Sequence, residues 1–299
     1  LFEYTSARAV AGYLIEQTVG ELESGGSAAP VAAMPMRAAA GSGDAVEILM
    51  LGHAARFAGG CSTDKAQGAM FEACGDAVGD VPAKRWVIEE MVDMSALAPV
   101  QQTAILHGAF VNGAEMFDAD KFNISAAEAG AMDPQQRLLL EMGYSAMHSS
   151  ALRLSSLMGD DSCMTVGVEE PEWQQVKQMV PSLQRAAYGM GDAMSVVAGR
   201  LSFVFGSHGL CTSVDAACAS ALVALQHAAQ TVRQNESGKG IAFGISFKLL
   251  PYTTLAMSLV GVVSADGRCK TFDARANGMC RAEGVTAQLI SSQPGKTEE

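Results

Sequence analysis

Apolar and polar positions along the chain fall into two alternating kinds of run. The apolar stretch Val46-Glu47-Ile48-Leu49-Met50-Leu51 predicts a first buried strand, and a helix is expected over Asp133 to Met147. Cys163-Met164-Thr165-Val166-Gly167-Val168 suits a second strand, and Met194 to Val204 a helix. A short apolar stretch, Leu210 to Asp215, then gives way to Leu222, Leu225, Ala229 and Val232, which recur every three or four positions and predict a helix with one buried face. Ile241, Phe243, Ile245 and Phe247 alternate as a half-buried strand, and Val285 to Ile290 is a further strand that closes the sheet. Strands alternating with helices imply an α/β layer with a mainly parallel sheet and crossover helices.

Before this region the pattern changes. Residues 20–44 are rich in small and helix-breaking types, as in Ser24-Gly25-Gly26-Ser27-Ala28-Ala29-Pro30 and Gly41-Ser42-Gly43, and read as a flexible linker. Residues 1–19 carry Val10, Tyr13 and Leu14 at helical spacing, which also suits an ordinary amphipathic helix.

Composition narrows the class. The 299 residues are 49% hydrophobic and 17% charged, enough for one large buried core or two smaller ones. A net charge of −12 argues against nucleic acid or an anionic membrane as partner, since both require positive surface. No apolar run approaches the roughly 20 residues that cross a bilayer, and no signal peptide opens the sequence. Seven cysteines without a Cys-x-x-Cys pair suggest neither a disulfide framework nor a metal site. A reducing, cytoplasmic address is expected.

The candidate chemistry lies at Cys218, in Asp215-Ala216-Ala217-Cys218-Ala219-Ser220-Ala221-Leu222. A thiol at the start of a helix faces unpaired backbone N–H groups and the positive end of the macrodipole, which stabilise a thiolate. Ala216, Ala217, Ala219 and Ser220 leave room for a bulky substrate. By this local pattern alone, Cys218 is either a nucleophile or an inert core thiol. His227, nine residues further along the same helix, stands about 13 Å away by helical rise and is not a partner for it. Asp133, Arg137 and Glu141 fall four apart and read as a structural ion network. Gly189-Met190-Gly191 lacks the third small residue and the leading strand of a dinucleotide site.

The elbow resembles that of the β-ketoacyl synthases, the condensing enzymes of fatty-acid and polyketide assembly, whose usual wording is Asp-Thr-Ala-Cys-Ser-Ser-Ser-Leu-Val-Ala-Leu. Four further stretches resemble the same family in order: Arg56-Phe57-Ala58-Gly59-Gly60, Val81-Pro82-Ala83-Lys84-Arg85-Trp86, Phe122-Asn123-Ile124-Ser125 with Met132-Asp133-Pro134-Gln135-Gln136-Arg137-Leu138-Leu139-Leu140-Glu141, and Ser264-Ala265-Asp266-Gly267-Arg268-Cys269-Lys270-Thr271-Phe272-Asp273 with Arg281-Ala282-Glu283-Gly284. Ala198-Gly199-Arg200-Leu201-Ser202 is similar to another family string, while Ala216, Ala219 and Gly244-Ile245-Ser246-Phe247 depart from the usual wording. Leu1-Phe2-Glu3-Tyr4 and the helix after it resemble the last helix of an acyl carrier protein, so the order carrier remnant (1–19), linker (20–44) and ketosynthase (45–299) is similar to a module boundary of a polyketide synthase.

The resemblance implies the N-terminal half of a thiolase-like fold, with a mainly parallel mixed sheet and crossover helices. Cys218 would be nucleophile, acyl acceptor and backbone oxyanion donor. No cofactor is expected to bind directly, the substrates being presented on the phosphopantetheine of an acyl carrier protein. A homodimer through Leu210 to Val214 is expected, and an isolated half would expose the apolar face meant for its other half. The family's two catalytic histidines lie in motifs that none of His53, His107, His148, His208 and His227 matches. Three readings therefore follow: a condensing enzyme incomplete in this chain, a non-catalytic scaffold or dimerisation module, and a cysteine acyl acceptor that does not condense.

Overall fold

The computed structural model describes residues 46–169, 171–180, 191 and 193–292. The expected carrier remnant (1–19) and linker (20–44) lie outside the described residues. Five strands form the main sheet: β1 (Ile48–Phe57), β2 (Cys163–Val168), β3 (Cys211–Val214), β4 (Lys239–Ser246) and β5 (Gly284–Ser292), in spatial order β1-β5-β4-β2-β3. β2 pairs in parallel with β3 and β4, while β5 runs antiparallel to both β4 and β1. The sheet is thus mixed, with its three parallel strands gathered on one side. The helices used below are α1 (Asp64–Glu72), α2 (Pro134–Ser149), α3 (Trp173–Met179), α4 (Met194–Phe205), α5 (Ser220–Arg233) and α6 (Tyr252–Leu259).

Local chemistry explains where the helices start and stop. Asp133 caps α2 by accepting a 2.7 Å hydrogen bond from the Gln135 N–H, and Pro134 occupies the first turn, where its missing N–H is harmless. Gly206, at φ 69°, ends α4 in the left-handed conformation that glycine adopts without steric penalty.

The two sheet faces bury different cores. On one face α2 and α4 lay Leu138, Leu139, Met142, Leu201 and Phe205 against Met164, Val166, Ile241, Phe243 and Leu289. Each of these large side chains stabilises the fold by about 1.5–3 kcal/mol through burial. On the other face α5 packs Ala228 and Val232 against Cys163, Ala242 and Ile290, a smaller core. Leu222, expected on the buried face of α5, is instead 70% exposed, because the face against the sheet is formed by Ala224, Ala228, Thr231 and Val232.

Three further sequence expectations change in detail. β1 runs on through Phe57, taking Arg56 and Phe57 of the expected turn into the strand, where Arg56 pairs with Glu141 of α2 at 3.2 Å. The alternating stretch at Ile241 is buried on both faces rather than half-buried, because helices cover both sides, and Phe247 lies beyond its end. β5 does not close an edge of the sheet but sits between β1 and β4. Among the described residues, no helix is long and apolar enough to cross a membrane.

Candidate active site

All three parallel strands end at one cavity. β3 leads through Asp215 to Cys218, β2 leads to Glu169 and Glu172, and β4 leads to Ser246 and Lys248, so the site lies at the carboxyl ends of the strands, where open α/β sheets gather their functional loops. The cavity has a volume of about 770 Å³, and Met279, Cys280, Arg281 and Glu283 complete its wall just before β5.

Cys218 stands exposed on a tight elbow whose hydrogen bonds are all local. Ala217, immediately before it, has φ 50°, a left-handed conformation that a residue with a Cβ adopts only when its surroundings hold it there. The holding groups are the Asp215 carboxylate, which accepts from the Ala217 N–H at 2.9 Å, and the Ser220 hydroxyl, which accepts from the Ala216 N–H at 2.8 Å and donates to the Ala217 carbonyl at 2.7 Å. α5 begins at Ser220, two residues after the cysteine. Ala216, Ala217 and Ala219 are exposed around the sulfur, leaving it approachable.

Two glycines let the helix start sit directly on the strands. A Cβ on Gly167 of β2 would lie 2.3 Å from the Ser220 carbonyl carbon, and one on Gly244 of β4 would lie 2.5 Å from the Ala221 Cβ. Only glycine permits that approach, which fixes the height of the elbow above the sheet.

The charged wall was not anticipated from the sequence. Glu169 bridges two cations, accepting from Lys248 Nζ at 2.6 Å and from Arg281 at 2.6 Å. Burial opposes ionisation of Glu169, but the Lys248 ammonium and the Arg281 guanidinium outweigh it and hold its carboxyl below the ordinary range. Burial pushes the Lys248 ammonium down, with Arg281 adding to the effect. Glu172 accepts from the backbone N–H groups of Leu249 (2.8 Å) and Leu250 (2.9 Å) and from the Thr253 hydroxyl (2.6 Å), tying β4 to α6. The signal that would have found these residues was position: charged side chains directly follow the buried strands β2 and β4.

Other sequence-derived residues fall outside the cavity. No histidine among the described residues lines it. His53 pairs with Asp64 at 3.0 Å, the His107 ring meets the Thr103 carbonyl at 2.9 Å, and His148, His208 and His227 are exposed. Arg137 lies near both Asp133 and Glu141, and the three belong to the α2 framework rather than to the cavity. Cys269 receives a 3.2 Å hydrogen bond from the Cys280 N–H, and every cysteine described is a free thiol. Among the described residues, no group of His, Cys, Asp and Glu could hold a metal ion.

Comparison with known proteins gives a consistent result. The family described as beta-ketoacyl synthase, N-terminal domain, matches residues 45–294. A phenolphthiocerol/phthiocerol polyketide synthase component of Mycobacterium tuberculosis is 37% identical over 243 residues, covering 81% of this chain and 16% of that protein. Pikromycin polyketide synthase component PikAII of Streptomyces venezuelae is 33% identical over 291 residues, covering 97% of this chain and 8% of that protein. The chain therefore spans a small part of the curated relatives it matches. Among solved structures, the ketosynthase from module 6 of the bacillaene synthase of Bacillus subtilis superposes with a TM-score of 0.67 at 25% identity, covering 82% of this chain and 40% of that one. An oxazolomycin ketosynthase domain from Streptomyces albus gives a TM-score of 0.71 at 25% identity, covering 82% and 43%.

Proposed function

Since the chain belongs to the β-ketoacyl synthase family through its N-terminal domain, we propose that it presents the acyl-accepting cysteine of a polyketide ketosynthase. The observation that carries this reading is the exposed Cys218 sulfur on a small-residue elbow at the mouth of a 770 Å³ cavity. The Cys218 thiolate attacks the thioester carbonyl of an acyl group carried on phosphopantetheine. A new C–S bond to Sγ forms, the bond to the carrier sulfur breaks, and the carrier thiolate leaves and takes up a proton. The Cys218 N–H is the donor for the oxyanion formed on the way, since the N–H groups of Ala219 and Ser220 already donate to the Ala216 and Ala217 carbonyls. No directly bound cofactor is needed for this step.

Condensation asks for more. Decarboxylation of a malonyl thioester yields an enolate that must be stabilised at its thioester oxygen before it attacks the acyl-cysteine, the task the family gives to two histidines. With no histidine among the described residues at the cavity, this chain on its own takes up the acyl group without turning over to a β-ketoacyl product. The partners in this reading are an acyl carrier protein, whose last helix residues 1–19 resemble, and a second copy paired through the edge strand β3.

Incubation with labelled acyl- and malonyl-pantetheine thioesters tests both parts. Intact mass is expected to rise by one acyl group, the gain is expected to vanish in Cys218→Ala, and no β-ketoacyl product is expected. Acylation that persists in Cys218→Ala would sink the acceptor role, leaving the scaffold reading, and robust product would overturn the expectation that the reaction stops at the acyl-cysteine.

A further inference from the structure

We propose that the ion cluster Glu169–Lys248–Arg281 in the wall of the Cys218 cavity selects acyl chains bearing a hydrogen-bond-accepting oxygen over saturated chains of equal length, an inference that rests on the reading of Cys218 as acyl acceptor. The cluster is built into the interior: Lys248 and Arg281 are 5% and 8% exposed. Its donors outnumber its acceptors, because a single carboxylate, Glu169, serves both cations. The other acids of the cavity accept their hydrogen bonds elsewhere: Glu172 from backbone N–H groups and the Thr253 hydroxyl, Glu283 from Arg85 and the N–H groups of Val111 and Lys248, and Asp215 from the Ala217 N–H. Lys248 and Arg281 therefore carry more N–H donors than Glu169, Ser246 and Thr254 accept, and a donor left over favours an incoming lone pair.

The rest of the cavity is suited to methylenes. Phe57, Ile245, Met257 and Met279 line it together with the cluster, so a chain reaching from Cys218 meets both apolar side chains and fixed charges. A saturated chain would strip water from Lys248 and Arg281 and return nothing. A hydroxyl or carbonyl oxygen on the chain replaces the lost water bond, and sites built in this way discriminate strongly against analogues that lack the oxygen. The bonds already present orient the donors: Lys248 Nζ donates to Ser246 Oγ at 2.5 Å as well as to Glu169, and Arg281 reaches Thr254 Oγ1 at 3.4 Å.

The test uses the full chain and pantetheine amides, which bind without acylating. Hexanoyl amide and its 3-hydroxy and 5-hydroxy counterparts are titrated against iodoacetamide labelling of Cys218. At least one hydroxylated amide is expected to protect Cys218 at about tenfold lower concentration than the saturated one. Lys248→Met is expected to erase the difference, Lys248→Arg to keep it, and Glu169→Gln, which leaves both cations without their carboxylate, to widen it. Equal protection by all three amides, protection by none, a preference that survives Lys248→Met, or one that narrows in Glu169→Gln overturns the proposal. Failure of the matching thioesters to acylate Cys218, while the amides protect as expected, would instead strike the acceptor reading and leave the preference of the wall intact.

Discussion

Cys163 lies in β2 and Cys218 on the elbow after β3, and their surroundings set the two thiols far apart. Cys163 is fully buried, and burial pushes its thiol up to about 11, while Cys218 stands exposed at the elbow. Iodoacetamide at mild alkaline pH is expected to modify Cys218 in the folded protein and Cys163 only after denaturation, read by peptide mass spectrometry; comparable native rates would remove the case for an accessible elbow. Glu169 supplies a pH dependence of definite sign. Its folded carboxyl is held below the ordinary range, so its contribution to stability is present above the unfolded value near about 4.3 and is lost as pH falls through the lower folded value. Urea midpoints of the protein and of Glu169→Gln are therefore expected to differ at neutral pH and to converge in acid. At this scale Cys218 was legible, because a thiol between an apolar run and a helical repeat is a local pattern. Glu169, Lys248 and Arg281 were not: Glu169 and Lys248 are 79 positions apart, and only parallel pairing of β2 with β4 brings their strand ends together.

Strands and helices were largely readable, since each depends on neighbours a few positions away. Cys163–Val168 matches the expected strand, and α2 and α4 differ from expectation by a residue or two at their ends. What the period could not give was strand order and exposure. Alternating apolar residues at Ile241 looked half-buried because the small residues between them, Gly240, Ala242 and Gly244, carry no apolar signal, yet they face α5 and are buried with it. The contact of α5 with β2 and β4 yields the next expectation. Gly167→Ala places a methyl against backbone atoms of Ser220 that have nowhere to move, and overpacking of this kind costs about 1–3 kcal/mol. A urea melt measures that loss, and the rate of Cys218 alkylation should change with it as the elbow is pushed off the sheet. A stable variant with unchanged alkylation would mean that the glycine does not set the height of the elbow.

Across the molecule, one buried ion pair joins segments almost two hundred positions apart. Arg85 donates to Glu283 at 2.7 Å and stacks over the Phe247 ring, 4.3 Å from its centroid, while Glu283 also accepts from the N–H groups of Val111 at 2.8 Å and Lys248 at 2.9 Å. Burial pushes the Glu283 carboxyl up and the Arg85 guanidinium down, each opposed by its partner, so the pair holds its charge only while both members remain. The two family-like stretches that contain them, around Trp86 and around Gly284, were each visible in the sequence, but their meeting was not. Glu283→Ala strands a buried guanidinium and two backbone donors, and a change of this kind is expected to cost about 3–5 kcal/mol. Glu283→Gln keeps the shape and part of the hydrogen bonding and should cost less. Because Glu283 receives the Lys248 N–H, and Lys248 in turn holds Glu169 at the cavity, the alanine variant should also blunt protection of Cys218 by hydroxylated amides under conditions where the protein is still folded. A full loss of stability with the amide preference retained would show that the Arg85–Glu283 pair holds the fold together without positioning the wall of the site.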